Sequence, residues 1–451
     1  MENQRLGRLV LVIFPLQGHT TPMLQLGTFL HSKGFAITVA HTRFNPPNPS
    51  KYPHFTFLLL SDKLTESYTP ATLNFYDLES ITRNCDLPLQ EFLELQTQTA
   101  DSQVVGIIFD SIMSFAATVA DHFKIPRLVF MTSSAGFDRA FWAFPRLLAE
   151  GYLPFQDSML HELVPQESPL RFKDLPVYKQ NIEETLKLID YGRNLKNFSA
   201  IILNTIDCLE QSSLFQLRQH YKVPVFPIGP LSKVAPALST SFLEEETSCI
   251  TWLNDQPAKS VLYVSKGSLA ISDEKELTET FWGLANSDQP FLWVVRPGSV
   301  SGSEWTEVLP KDFKEIVRER GLIVKWAPQK EVLAHSAVGG FWTHCGWNSS
   351  MESLCEGVPM ISSPQFFDQK VIARYITHVW KVGFELDGVL ERGDVDKSIR
   401  RLMTGREGNE VRQRAIELKH MINVSTLEGG SSYNSLNDLT EFLLAKNVQK
   451  Q

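Results

Sequence analysis

Cysteine is scarce in this chain and arranged without pattern. The five cysteines, Cys85, Cys208, Cys249, Cys345 and Cys355, are odd in number, widely spaced and form no CxxC pair. That argues against a disulfide framework and fits a reducing compartment, so a cytoplasmic location is expected. Long basic runs are absent, and 43 basic against 51 acidic residues leave a formal charge of −8, so no nucleic-acid partner is expected. No stretch is apolar enough for a membrane span. The first apolar run is short and stops at Pro15 without a small-residue cleavage site, so no secretory signal peptide is expected. Internal repeats and low-complexity tracts are also missing. Neither Gly18 nor Gly267 begins a GxGxxG turn, which tells against a nicotinamide-dependent oxidoreductase.

What the chain has is length and alternation. Its 451 residues, 43% of them hydrophobic, exceed one core and suggest two domains. Strand-like runs occur at Leu9–Phe14, Ala36–His41, Phe55–Leu60, Val104–Phe109, Arg127–Met131 and Ala200–Asn204. Helical patterns such as Thr21–Ser32 and Ser114–Phe123 lie between many of them. This is the βαβ signature of a parallel sheet. The stretch Pro230 to Thr247, rich in Ser, Pro and Ala, interrupts the pattern and reads as a linker. Alternation resumes at Val261–Ser265, Phe291–Val295, Leu322–Lys325, Gly340–Thr343 and Met360–Ser362, and Val395 to Leu444 is mostly helical. The expected α/β architecture is two doubly wound, Rossmann-like domains, residues 1–235 and 249–430, joined by a linker at 236–248 and followed by a helical tail at 431–451. Two such domains facing each other would leave a cleft at the C-terminal ends of both sheets, where folds of this kind bind ligands.

The densest chemistry lies in the 44 residues from Trp326 to Gln369. Trp326 follows a strand and can stack on a planar base, although by itself it reads as well as a core tryptophan. His344-Cys345-Gly346-Trp347-Asn348-Ser349 joins a strand to a helix. Ser349 to Glu352 reads as that helix's capping box, and Gly357 with Pro359 as its end. A helix N-terminus after a glycine-containing loop is an anion site, and His344 stands beside it as a donor to a diphosphate. Taken singly, Glu352 also reads as a cap and Asn348 as a turn residue. Asp368-Gln369 sets a carboxylate next to an amide, a pair suited to sugar hydroxyls or simply to capping a helix. Asn348-Ser349-Ser350 is a formal glycosylation sequon; a glycan there would block the site, which again favours the cytosol.

In the first half, His19 stands between the first strand and first helix, at the sheet edge that faces the expected cleft. A neutral imidazole there can take a proton from a hydroxyl, and Asp110, ending another strand at the same edge, is the natural partner to fix its tautomer. The residues alone leave open that His19 is an ordinary helix-start residue and Asp110 a cap.

The stretch from Trp-Ala-Pro-Gln through His-Cys-Gly-Trp-Asn-Ser to the closing Asp-Gln resembles the plant secondary product glycosyltransferase box of the family 1 UDP-glycosyltransferases. The similarity extends to FPLQGHTTPMLQL near the N-terminus and GGSSYNSL near the C-terminus, hence over nearly the whole chain. The pattern is similar to the plant subgroup that glucosylates hormones and specialised metabolites. The resemblance implies a GT-B fold, an acceptor-binding first domain and a UDP-sugar-binding second one. It implies that Trp326 stacks on uracil, Ala327 joins the donor site, Gln329 contacts the uridine and Glu352 binds the ribose. It assigns His344, Asn348, Ser349 and Ser268 to the diphosphate, and Trp347, Asp368 and Gln369 to the sugar, with Gln369 matching a glucose-preferring form. His19 and Asp110 match the family's catalytic pair. The implied reaction is displacement at the anomeric carbon with inversion, needing no cofactor beyond the UDP-glucose co-substrate and no metal. The enzyme is expected to act as a monomer. The triplet Asp394-Val395-Asp396, a metal motif elsewhere, reads as a capped helix start.

The acceptor is expected near His19, among Phe14, Leu16, Phe115, Phe137, Phe366 and Phe367, each equally readable as core. An aromatic-rich, weakly charged mouth suits a terpenoid, phenolic or cytokinin, attacked through oxygen or nitrogen. Lys266, where relatives usually carry an apolar residue, and Phe367, where they are often small, depart from the pattern. Lys266 reads either as a packed stem with its ammonium in solvent or as added attraction for a diphosphate or an acidic acceptor. The competing function is a nucleotide-sugar binder without turnover.

Overall fold

A computed structural model describes residues 6–60, 82, 84–97, 103–176, 186, 198–235, 241–300 and 311–448. Two sheets organise it, and every strand pairing in both is parallel. The first has seven strands: β1 (Arg8–Val12), β2 (Ala36–His41), β3 (Thr56–Leu59), β4 (Val104–Asp110), β5 (Arg127–Met131), β6 (Ala200–Leu203) and β7 (Val225–Pro227), in the order β3-β2-β1-β4-β5-β6-β7. The second has six: β8 (Val261–Ser265), β9 (Phe291–Val294), β10 (Gly321–Val324), β11 (Val338–Thr343), β12 (Met360–Ser362) and β13 (Gly383–Glu385), in the order β10-β9-β8-β11-β12-β13.

These strands read as near-continuous apolar runs because helices cover both faces of each sheet. Alternate residues feed opposite cores, as the two-residue repeat of a strand requires. Val10, Val12, Ile107 and Phe109 join one cluster and Leu9, Leu11 and Ile108 the other; Val105 also joins the second, because the β1–β4 register slips by one residue between Arg8 and Leu9. The expected tail is the helix Ser431–Val448, whose Leu436, Leu439 and Leu443 are buried in that second cluster with Leu9 and Leu11. Each such leucine contributes about 1.5–3 kcal/mol, so the C-terminus is part of the first unit's core.

Contacts group the chain into two compact units. One comprises Met1–Arg139, Glu183–Phe242 and Val424–Gln451; the other comprises Ala140–Ile182 and Leu243–Asn423. Part of the expected linker, residues 236–240, lies outside the described residues. In each sheet the winding reverses next to the first strand of the unit, between β1 and β4 and between β8 and β11. Loops leaving adjacent strand ends there diverge and open a crevice, so residues just after these four strands are placed to meet a ligand.

Two strands escaped the sequence reading. β7 and β13 are three residues each and lie at sheet edges, too short to show a period. Pro227 is tolerated in β7 because an edge strand needs no ladder donor there. The first helix also differs: it runs Gln17–Ser32 with Pro22 inside it, rather than starting at Thr21. His19 and Thr20 both donate main-chain N–H groups to the Leu16 carbonyl, and the Thr20 hydroxyl donates to the Phe14 carbonyl, which winds the chain earlier than the proline suggested.

Candidate functional site

His19 therefore lies in a helix's first turn, not in the loop before it, and the early start fixes where its imidazole points. Its Nδ1 is 2.8 Å from Asp110 Oδ2 and 2.9 Å from Thr132 Oγ1. Asp110 closes β4 and is fully buried, and its other oxygen accepts the Ile112 N–H at 3.0 Å. The carboxylate can only accept, so Nδ1 carries the proton and Nε2 the basic lone pair. The edge of Phe14 packs against the ring, with centroids 5.2 Å apart at 73°. The His19 side chain is 25% exposed, so the base reaches solvent while its partner does not. Thr132 was missed by the sequence reading. It follows β5, whose neighbour β4 delivers Asp110, a pairing that only the strand order shows.

In the second unit, the residues after β8, β10, β11 and β12 supply the other constellation. The helix after β11 runs Trp347–Glu356 and takes Gly346, not Ser349, as its N-cap. Ser349 and Glu352 are thus inside the helix, and the expected capping box is not formed. Glu352 instead accepts from Gln329 Nε2 at 2.8 Å, and the same amide donates to Ser349 Oγ at 2.9 Å. Tyr263 of β8 donates to Gln329 Oε1 at 3.3 Å, so the amide is held from both ends. Burial pushes the Glu352 carboxyl upward, opposed by the Gln329 hydrogen bond. The helix ends as expected at Gly357, whose φ of 67° is the left-handed conformation that suits glycine.

His344 precedes this helix. Burial pulls it down to about 4, against the pull of a hydrogen bond to the Ser265 main chain, so near neutrality it is an uncharged imidazole. Its Nδ1 is shielded and has no hydrogen-bond partner among the described residues, and nor has the buried Ser350 Oγ. Two orphaned polar atoms at a helix N-terminus fit a site completed by a polar ligand. Any stabilisation of an anion here comes from the helix end and its first-turn N–H groups rather than from a charged histidine.

The imidazole is slotted between two glycines. A Cβ on Gly267 would lie 2.5 Å from His344 Cε1 and Nε2, and one on Gly346 would lie 2.4 Å from Nε2. Gly267 also has a φ of 77°. Gly346→Ala is expected to displace the imidazole and raise KM for the donor about tenfold or more, with Tm nearly unchanged. Initial rates against donor concentration, with a thermal melt as control, check it.

Trp326 is only half-buried and lies in the loop after β10, so it is not a core tryptophan. Ala327 beside it is buried. Trp347 behaves oppositely: its indole is 3% exposed and packs on Trp380 at 6.2 Å, so its main chain rather than its ring lies at the helix N-terminus. Asn348 is half-buried in the same first turn, and Ser268 is half-buried after β8. Asp368 opens the helix Asp368–Arg374. Gln369 is 6% exposed, and its Oε1 accepts the Gln365 and Phe366 N–H groups at 2.9 and 3.3 Å. That leaves its amide NH2 as the end that can serve a ligand. Phe367 caps the helix at φ 56°, ψ −126°, a strained conformation for any residue with a Cβ and one that explains why a small residue suits the place.

Of the six apolar acceptor candidates, Phe14 is corrected: it is fully buried in a core cluster, with its ring against the His19 imidazole. Leu16, Phe115, Phe137, Phe366 and Phe367 are all half-buried. The expected cap at Asp394 is also corrected. The helix Arg392–Met403 starts two residues earlier, Asp394 falls inside its first turn, and Asp396 pairs with Arg400 at 2.7 Å. Among the described residues, no group of three or more His, Cys, Asp or Glu is arranged to hold a metal ion.

An imidazole held by a buried carboxylate at one switch point is equipped to accept a proton, and the helix N-terminus at the other to receive an anion, features that suit group transfer from an activated phosphate ester. Solved structures with this architecture agree. Os79 from O. sativa in complex with UDP superposes with a TM-score of 0.82 at 26% identity, over 96% of this chain and 100% of that one. Phytolacca americana UGT2, complexed with UDP-2fluoro-glucose and pterostilbene, gives 0.81 at 27%, over 98% and 100%. The fold is that of the GT-B glycosyltransferases.

Sequence narrows the class. The family model described as UDP-glucoronosyl and UDP-glucosyl transferase matches residues 61–416. UDP-glycosyltransferase 76E1 of Solanum lycopersicum is 48% identical, over 99% of this chain and 94% of its own length. Flavonol 3-O-glucosyltransferase UGT76E12 of Arabidopsis thaliana is 44% identical over 96% of each. The chain belongs to the plant family 1 UDP-glycosyltransferases, in their 76 group, and is an enzyme that transfers sugar from a UDP-sugar to a small acceptor.

Proposed function

We propose that the enzyme transfers glucose from UDP-glucose to a hydroxyl, or a ring nitrogen, of a small apolar acceptor of the terpenoid, phenolic or cytokinin kind, with inversion and without a metal. The observation that carries the reading is the His19–Asp110 contact at 2.8 Å. It gives the acceptor a neutral base whose tautomer is fixed.

His19 Nε2 takes the acceptor proton as the acceptor atom attacks the anomeric carbon. The bond from that carbon to the β-phosphate oxygen breaks, and UDP leaves with the electron pair. Asp110 stabilises the imidazolium that forms. In this reading Trp326 and Ala327 pack on the uracil, Gln329 and Glu352 bind the uridine, and the first-turn N–H groups of Trp347, Asn348 and Ser349, with His344 and Ser268, receive the diphosphate. Asp368 and the Gln369 amide hold the glucose. Preorganised dipoles at the leaving group supply the electrostatic stabilisation a metal would otherwise give. Turnover after exhaustive EDTA treatment is expected to stay within about twofold of the untreated rate, since only a metal acting as Lewis acid would be worth several kcal/mol. Abolition by EDTA with restoration by Mg²⁺ would count against the reading.

The half-buried Leu16, Phe115 and Phe137 support an apolar acceptor. A flavonol is named for one relative, and pterostilbene was bound by a structural neighbour. All five cysteines are free thiols, which supports work in a reducing compartment such as the cytoplasm. Mass spectrometry of UDP-glucose, UDP-xylose and UDP-galactose against a phenol, terpenoid and purine panel tests the proposal. A glucoside of an apolar acceptor is expected. Binding of UDP-glucose with no turnover on any acceptor would favour a silent nucleotide-sugar binder.

A further inference from the structure

Lys266 is the departure from family pattern that the mechanism leaves unused, and its surroundings show what it does. It follows β8 directly and precedes Gly267 and Ser268. Its side chain is 14% exposed, so the ammonium does not simply reach solvent. Nζ donates to Glu276 Oε1 at 2.5 Å and to Ser272 Oγ at 3.1 Å. Glu276 sits in the first turn of the helix Glu274–Asn286, and its own N–H is capped by Asp273 Oδ1 at 2.7 Å. The lysine side chain is therefore a chord across the loop of residues 267–273, tying its start to its end.

The rest of the loop is fastened to the next strand's exit. Arg296 donates to the Ala270 carbonyl at 3.2 Å, and the Ser272 N–H donates to the Ser299 carbonyl at 2.9 Å. These residues and Lys266 line one small, open recess. The apex of the loop is Gly267-Ser268, where the Gly267 N–H donates to Ser265 Oγ at 3.4 Å and Gly267 lies against the His344 imidazole with no room for a Cβ. A shift of the apex by a few tenths of an ångström therefore moves the histidine slot as well as Ser268. An ammonium already matched by a carboxylate adds little attraction for a second anion.

We infer that Lys266 is a positioning residue for the donor site, holding the Gly267-Ser268 apex against His344 through Glu276 and Ser272, and that it is not a ligand of the diphosphate. The inference rests on the donor-site reading above. An apolar residue at this position cannot make the chord, so this chain holds the loop by charge where an apolar side chain would hold it by packing.

Calorimetric titration with UDP and initial rates against UDP-glucose test it on the full chain. Lys266→Met and Glu276→Gln are both expected to weaken UDP binding and raise donor KM about tenfold, with kcat changed far less. The reversed pair, Lys266→Glu combined with Glu276→Lys, is expected to recover most of the loss, as is Lys266→Arg. If Lys266 were a phosphate ligand, Glu276→Gln would release its ammonium and tighten UDP binding; that result overturns the inference. Unchanged UDP affinity in both single variants overturns it too. A thermal melt separates loss of fold from loss of binding, and Glu276→Gln with Lys266→Arg decides the matter should Lys266→Met not fold. Failure of the unaltered chain to bind UDP would instead strike the donor-site reading, and this inference with it.

Discussion

His19→Ala is expected to lower kcat about 10²–10⁴-fold, the range for loss of a positioned general base, while UDP affinity stays within about twofold because the proposed nucleotide site is built from the other unit's residues. The separation follows from where the groups lie. His19, in the helix after β1, Asp110, closing β4, and Thr132, just after β5, belong to the first unit, whereas Gln329, His344, Ser349 and Glu352 all belong to the second. Burst and steady-state rates with the best acceptor, and calorimetry with UDP, give both numbers. Retained turnover would mean that the acceptor needs no proton acceptor or that another group serves.

Asp110→Asn should do nearly as much harm for a different reason, about 10³–10⁴-fold in kcat, on the precedent of histidine bases whose carboxylate is replaced by an amide. One oxygen of Asp110 accepts the Ile112 N–H at 3.0 Å, so an asparagine keeps its carbonyl there and turns its NH2 toward His19 Nδ1. An N–H facing Nδ1 forces that nitrogen to accept, which moves the imidazole proton to Nε2 and removes the base. The geometry survives while the tautomer inverts. Asp110→Ala would be less informative, because it also leaves the Ile112 N–H without its acceptor. Normal turnover by a folded Asp110→Asn enzyme would show that the carboxylate does not set the tautomer.

Much of this was legible in the sequence, because parallel strands buried on both faces leave continuous apolar runs. Ala36–His41, Arg127–Met131, Val261–Ser265 and Met360–Ser362 were placed to the residue. β7 and β13 were not, since a three-residue edge strand carries no repeat. The proposed donor constellation could be read because most of its residues lie close together in sequence. The His19–Asp110 pair, 91 positions apart, showed only in the argument that His19 follows one strand and Asp110 ends another at the same sheet edge. Thr132 needed the knowledge that β4 and β5 are neighbours, which no local pattern supplies. Caps were the weakest part. Ser349 to Glu352 has the spacing of a capping box, yet the helix starts at Trp347 because Gly346 adopts the extended cap conformation. Glu352 is thereby released to take the Gln329 amide. The same local override moved His19 from a loop into a helix. Phe14 was misjudged because adjacency to His19 does not distinguish a wall from a buried support.

The central claim is that the segment from Trp326 to Gln369 cradles uridine diphosphate. A crystal structure of the enzyme with UDP tests it most directly. Uracil is expected to stack on Trp326, the ribose hydroxyls to meet Glu352 and the β-phosphate to lie at the N-terminus of the helix Trp347–Glu356. A nucleotide bound elsewhere, with the Gln329–Glu352 contact intact and the end of that helix without phosphate, would contradict it.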